Sequence, residues 1–177
     1  MPVTPFHLGL GAAAKAIMPR RFSFTVFAFA QLVTDAEVMT LLLLGRYPIH
    51  GFFHTYLGAT FVAVASLILG PPVCRRLKRE WNMRLEASLR ARLAVAEEIS
   101  LTAATLGAFV GTYSHVLLDS LMHPDIQPLA PFSSANPLLG RISVLVLHLL
   151  CVAAGMLGLW AYLPRPGARS NNRSTGR

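Results

Sequence analysis

The sequence predicts an all-α integral membrane protein with four long transmembrane helices and a short N-terminal membrane helix. Three observations carry this reading. The 177 residues are 54% hydrophobic and only 14% charged. Four stretches reach the ~20 apolar residues that a helix needs to cross a ~30 Å hydrocarbon layer. The sixteen Lys and Arg against eight Asp and Glu give a net charge of +8, and most of the cations fall in short segments between the apolar stretches. So high an apolar fraction argues against a disordered chain. It also argues against a soluble nucleic-acid-binding domain, and no interleaving of aromatic and basic residues points to nucleic acid as a partner. Two distant cysteines exclude a disulfide scaffold and a Cys-rich zinc site.

The elements follow in order. Pro5–Met18 is a short apolar run that reads as a helix, with Thr4 as N-cap and Pro5 at the first helical position. It lacks the positive leader of a signal peptide, and Arg20 and Arg21 follow it rather than precede it. The four spans are Phe22–Leu44, Phe52–Gly70, Ile99–Met122 and Ile142–Leu163. Between the second and third, Pro71–Glu98 is basic, and its apolar residues recur at three- and four-residue intervals. That pattern fits an amphipathic helix at the membrane surface and, equally, a solvated linker. Residues 1–163 form one membrane-embedded domain, and the tail 164–177, rich in Pro, Gly, Ser, Asn and Arg, reads as disordered.

Orientation follows from the cations. With four spans, the stretch around Lys15, Arg20 and Arg21, the loop 71–98 and the tail share one side, which collects fourteen of the sixteen. Only Arg46 and Arg141 fall opposite. The positive-inside rule puts the loop and the C-terminus in the cytoplasm, in a membrane of the bacterial cytoplasmic (inner) type. Anionic lipid headgroups are the natural partner of the loop.

Ionisable side chains inside a span are costly and usually functional. In the third span Gly107, Gly111, His115, Asp119 and His123 recur every four residues and form one helical stripe. Its Gly-x3-Gly part admits a close neighbouring helix. In the second span His50, His54 and Gly58 repeat the spacing, and the first span supplies Asp35 and Glu37. At ~1.5 Å per residue, His7, Asp35, His50, His54, His115 and Asp119 all lie roughly 20–32 Å from the cytoplasmic boundary. Four segments thus bring imidazoles or carboxylates to one layer near the outer face.

Such groups together are ligands for a divalent metal, zinc ahead of manganese or iron. A cation would offset the cost of acids in low dielectric. Asp35 and Glu37, two apart, point to nearly opposite sides of an unbroken helix, so either the helix breaks or one alone reaches the site, Asp35 being preferred. A metal-free interhelical hydrogen-bond or proton-relay network is the alternative account of His54, His115 and Asp119, ranked behind the metal site. His123 and Asp125 lie either at the site or merely in the outer loop. His148 reads as a hydrogen-bonded structural histidine, and Cys74 and Cys151 as ordinary apolar residues.

The stretches Thr-Pro-Phe-His7, Val-Thr-Asp35-Ala-Glu37, His50-Gly-Phe-Phe-His54-Thr55 and Gly111-Thr-Tyr-Ser-His115-Val-Leu-Leu-Asp119 resemble, over roughly residues 4–132, the YdjM-type membrane-bound metal-dependent hydrolases. That family carries an N-terminal His, a Pro-Asp-Ile-Asp-like element, a His-Arg-Gly-x-Thr-His-Ser element and a Gly-x-x-Ser-His-x-x-x-Asp element. Glu37 stands where the family has its second Asp. With the glycines aligned, Ile49 falls at the family's first His and His50 at its Arg. Either His50 supplies the missing ligand from one position away, or the site has one ligand fewer.

The expectation is therefore a metal-dependent hydrolase with His7, Asp35, His50, His54, His115 and Asp119 around the metal. Glu37, left uncoordinated, is the candidate general base. A site near the outer interface implies a lipid or lipid-linked substrate, a phosphoester among them. The alternative is a small ion- or proton-coupled transporter, or a non-catalytic protein whose polar residues join its helices.

Overall fold

Serine and threonine hydroxyls set the starts of the long helices. The computed structural model describes residues 5–162, so Thr4 and the tail 164–177 lie outside the described residues. The Ser23 hydroxyl accepts the Val26 N–H at 3.3 Å, Thr55 accepts Gly58 N–H at 2.9 Å, and Ser100 accepts Ala103 N–H at 3.2 Å. Each satisfies a donor that the first helical turn leaves unpaired. Ser143 does the same for Val146 at 3.3 Å. These caps move the starts of the first, third and fourth spans inward by about two residues from where hydropathy placed them.

The elements are α1 (Pro5–Ile17), α2 (Phe24–Leu43), a 3-10 turn (Phe52–His54), α3 (Tyr56–Arg84), α4 (Ala87–Leu93), α5 (Leu101–Met122) and α6 (Val144–Tyr162). Among the described residues all regular structure is helical. Helices α2, α3, α5 and α6 are each long and apolar enough to cross a membrane, which marks an integral membrane protein. Helix α1, with 13 residues, is too short for that.

α5 is central. It packs against α2 and α3 and also touches α1 and α6. Half of its apolar window is buried, against 17% for α6, so α6 gives most of its surface to lipid. The Gly-x3-Gly stripe acts where expected. A Cβ on Gly107 would stand 2.6 Å from the Ser23 carbonyl oxygen, and one on Gly111 would stand 3.0 Å from Ala30 Cβ. α5 and α2 therefore meet at a separation that larger residues forbid. α1 packs chiefly on α6, where a Cβ on Gly9 would overlap the Cys151 carbonyl.

At one end of the bundle, Val26, Cys74, Ala104 and Ala108 form a core that joins α2, α3 and α5. There Ser23 N–H donates to Ala103 O at 3.0 Å, and the Lys15 ammonium donates to Pro19 O and Phe22 O. This end gathers the chain around Arg20 and Arg21 with the stem of the basic segment. The second cysteine, Cys151, is also buried and free, so both cysteines behave as apolar residues.

Three expectations need correction. The second span does not begin at Phe52: Thr55 is extended (φ −105°, ψ 156°) and caps α3, so His50 and His54 precede the helix and form no helical stripe with Gly58. Nor does that helix stop at Gly70. It runs through Pro71 and Pro72 to Arg84, giving up two ladder donors, because the Arg, Leu, Lys, Glu and Met residues beyond are good helix formers. The basic segment is thus neither one surface helix nor a linker. It is the end of α3, then α4, then an extended return. Trp81 Nε1 donates to Leu93 O at 3.0 Å, while the Asn82 amide gives to Val95 O and accepts Val95 N–H, both at 2.9 Å. Finally, His148 stacks on Phe6 with ring centroids 4.3 Å apart, and its Nε2 has no hydrogen-bond partner, so stacking rather than hydrogen bonding holds it.

Candidate metal centre

The apolar bundle closes, at the end opposite the basic segment, around a cluster of imidazoles and carboxylates. Asp119, one turn beyond His115 on the buried face of α5, is its hub. Asp119 Oδ1 lies 3.3 Å from His7 Nε2 on α1. Its Oδ2 lies 3.1 Å from His115 Nε2 and 3.8 Å from His54 Nε2. From α2, Asp35 Oδ1 reaches His115 Nε2 at 3.2 Å. The rings of His7 and His54 stand edge-on to His115, with centroids 4.7 and 5.3 Å away. His54, His115 and Asp119 are fully buried, whereas the Asp35 and Glu37 side chains are 20% and 15% exposed. The cluster therefore opens to its surroundings along α2.

A second set of contacts fixes how the rings face. His115 Nδ1 is hydrogen-bonded to Gln31 Oε1, and Gln31 Nε2 in turn donates to Gly111 O at 3.2 Å. His54 Nδ1 lies 3.1 Å from Glu37 Oε2. Glu37 also accepts the backbone N–H of Gly51 at 3.1 Å and of Phe53 at 2.9 Å. The carboxylate thus stitches the turn before α3 onto α2. His50 Nδ1 sits 2.9 Å from both oxygens of Asp125, which also accepts His50 N–H at 3.3 Å. Burial works against an ionised Asp125, but its hydrogen bonds with His50 hold the carboxyl below its usual range. Burial pushes His123 below the ordinary imidazole value, so that ring stays neutral.

An acceptor carboxylate or amide at Nδ1 takes the ring proton there and leaves Nε2 as a bare lone pair. The Nε2 atoms of His50, His54 and His115 and both oxygens of Asp119 are buried and make no hydrogen bond. Around Asp119 these nitrogen and oxygen atoms stand 3.1–3.8 Å apart, a spacing that calls for a shared proton or a cation between them. Four overlapping groups have ligand atoms within 4.8 Å of one another: His7 with His115 and Asp119; Asp35 with His54 and His115; His50 with His54 and Asp119; and His50 with His123 and Asp125.

All seven residues singled out from the sequence stand in or against this cluster. The expectation for Asp35 and Glu37 is either a break in the helix or only one of them at the site, yet both take part from an unbroken α2. Glu37 reaches sideways to the turn at 51–54 while Asp35 faces His115. Gln31 was missed. Its signal was an amide inside an apolar span, one turn before Asp35. The open question over His123 and Asp125 resolves toward contact: the His123 ring lies 4.5 Å from that of His50, and Asp125 holds His50.

Comparison of the chain with protein-family models, with curated proteins and with solved structures gives no match.

Proposed function

We propose that this protein is a membrane-embedded metal-dependent hydrolase that holds a divalent cation, zinc ahead of manganese or iron, near the outer face of the bilayer. The observation that supports it best is the polarity of the histidines. With Nδ1 of His54 and His115 tied to Glu37 and Gln31, their Nε2 atoms turn toward the buried oxygens of Asp119. Lone pairs gathered in low dielectric repel unless a cation lies among them. An outer ring of acceptors that fixes each tautomer is the usual support of metal-bound histidine.

His7, Asp35, His54, His115 and Asp119 would hold the ion, a nitrogen and oxygen set suited to zinc. His50 flanks it, its ring 4.8 Å from His54. A bound divalent ion there would activate water and polarise a scissile ester. Glu37, with three donors on its oxygens, serves as the positioning residue of His54 rather than as the general base. Entry is along the partly exposed Asp35–Glu37 side. A cleft of about 380 Å³ lined by Tyr56, Leu57, Thr60, Leu129 and Phe132 offers apolar surface for a lipid chain. A lipid or lipid-linked phosphoester is the substrate class this setting favours. The basic segment, where Arg75, Arg76 and Arg79 line one groove, then faces the cytoplasm and anionic headgroups.

The test is metal analysis of detergent-purified protein beside His115→Ala, with a panel of lipid phosphoesters as substrates. At least one equivalent of metal is expected in the wild type, together with ester cleavage, and both are lost in the variant. Metal-free protein that stays folded and active overturns the reading. One observation favours a second reading: His7, Asp119, His115 and Asp35 form an unbroken series of contacts of 3.1–3.3 Å, as a proton relay requires. Proton flux across proteoliposomes without any product from lipid would select it.

A further inference from the structure

The cluster extends past the residues that one ion needs. Beyond His54, the His50 ring stands 4.5 Å from His123 at an interplanar angle of 31°. His50 is only 4% exposed. The Nε2 atoms of both rings are buried without a partner. Both Asp125 oxygens lie 2.9 Å from His50 Nδ1, so one can hold that ring while the other, with an imidazole nitrogen from each of His50 and His123, completes a set of ligand atoms within 4.8 Å of one another. His50 also belongs to the neighbouring group with His54 and Asp119. The two groups are therefore contiguous, and His50 is common to both.

Charge gives an independent argument. Outside the basic segment 71–98 the chain has four acids, Asp35, Glu37, Asp119 and Asp125. All four meet histidines of this cluster. Asp35 and Asp119 match one divalent ion. Glu37 and Asp125 would leave an excess of two negative charges at the mouth of a low-dielectric site, which a second divalent ion cancels.

Resting on the hydrolase reading above, we propose that His50, His123 and Asp125 hold a second divalent cation beside the first, and that the centre is dinuclear. Ions in such centres stand ~3.5–4 Å apart and stabilise both the attacking and the leaving oxygen of an in-line displacement at phosphorus. A dinuclear centre thus gives the phosphoester substrate class a second, independent support.

The experiment loads the full chain in detergent with manganese(II) alone, then counts bound metal after gel filtration. Two equivalents are expected in the wild type and one in His123→Ala and in Asp125→Asn. The electron paramagnetic resonance spectrum of the wild type should show exchange-coupled manganese, replaced in each variant by the spectrum of an isolated ion. The spectrum of the wild type needs no variant to fold, and His123→Gln provides a milder second substitution. One equivalent in wild type and variants alike, with an uncoupled spectrum, overturns the second subsite and leaves the first reading standing. Loss of all metal in a monodisperse His123→Ala would also overturn it, by showing a single shared ion. No metal in the wild type overturns both readings.

Discussion

Asp35 and Glu37 stand two residues apart on one unbroken helix, yet each meets a different histidine of the same cluster, His115 at 3.2 Å and His54 at 3.1 Å. Helical geometry alone sets the two side chains on nearly opposite sides. They converge because the chain after α2 folds back beside it, and Glu37 clasps the backbone of Gly51 and Phe53. The two acids divide the work: one faces the interior of the cluster, and the other holds His54 in place from outside.

Removing that outside support should weaken the metal without unfolding the bundle. In Glu37→Gln one carboxylate oxygen becomes an amide donor, and the tether of His54 Nδ1 is compromised. A fall of ~10–100-fold in metal affinity is expected, as for other outer partners of ligand histidines. Competition with a chromophoric chelator reads it. Unchanged affinity would show that Glu37 only fastens the turn.

Close approach of α2 and α5 should tolerate no added bulk. Gly107→Val places a branched side chain where one Cβ already stands 2.6 Å from the Ser23 carbonyl. A loss of about 1–3 kcal/mol is expected from overpacking. It would be measured as a lowered thermal transition in detergent, with Leu129→Val in the loop between α5 and α6 as the control.

Asn82 should act as the clasp of the basic segment and nothing more. Asn82→Ala removes both hydrogen bonds to Val95, each worth about 1 kcal/mol. Trypsin should then cut faster between Arg84 and Arg92, while bound metal stays constant. A change in metal content would mean that the two ends of the bundle are coupled.

Topology is open to direct labelling. Phe132 is 88% exposed in the loop between α5 and α6. In a background lacking Cys74 and Cys151, Phe132→Cys should react with an impermeant maleimide on intact cells. A cysteine at Arg76 should react only after permeabilisation. The reverse pattern would invert the orientation inferred from the cations.

The helices and most of the cluster were legible because both arise from short-range rules. Length and hydropathy mark α2, α5 and α6, and a four-residue interval alone puts His115 and Asp119 on one face. The turn at 51–54 was not legible. Its spacing mimics a helix, and only the Thr55 cap and the long-range bond from Glu37 decide otherwise. The continuation of α3 past Pro71 was hidden for the opposite reason, because local chemistry argues for a stop and the residues beyond it prevail. Gln31 escaped because a neutral amide carries no charge to mark it, though its contact with His115 is as direct as any in the cluster.

The pairing of α1 with α6 sets an order of events. His7 rides on α1, whose principal neighbour is the last helix of the described chain. Gly11 of α1 meets Phe27 of α2, but Gly9 meets only α6, so that part of the face has no partner until α6 has formed. His7, whose partner Asp119 lies on α5, is carried by a helix that leans chiefly on α6. Loss of α6 would therefore reach the cluster through α1, although none of the cluster's grouped residues lies on α6.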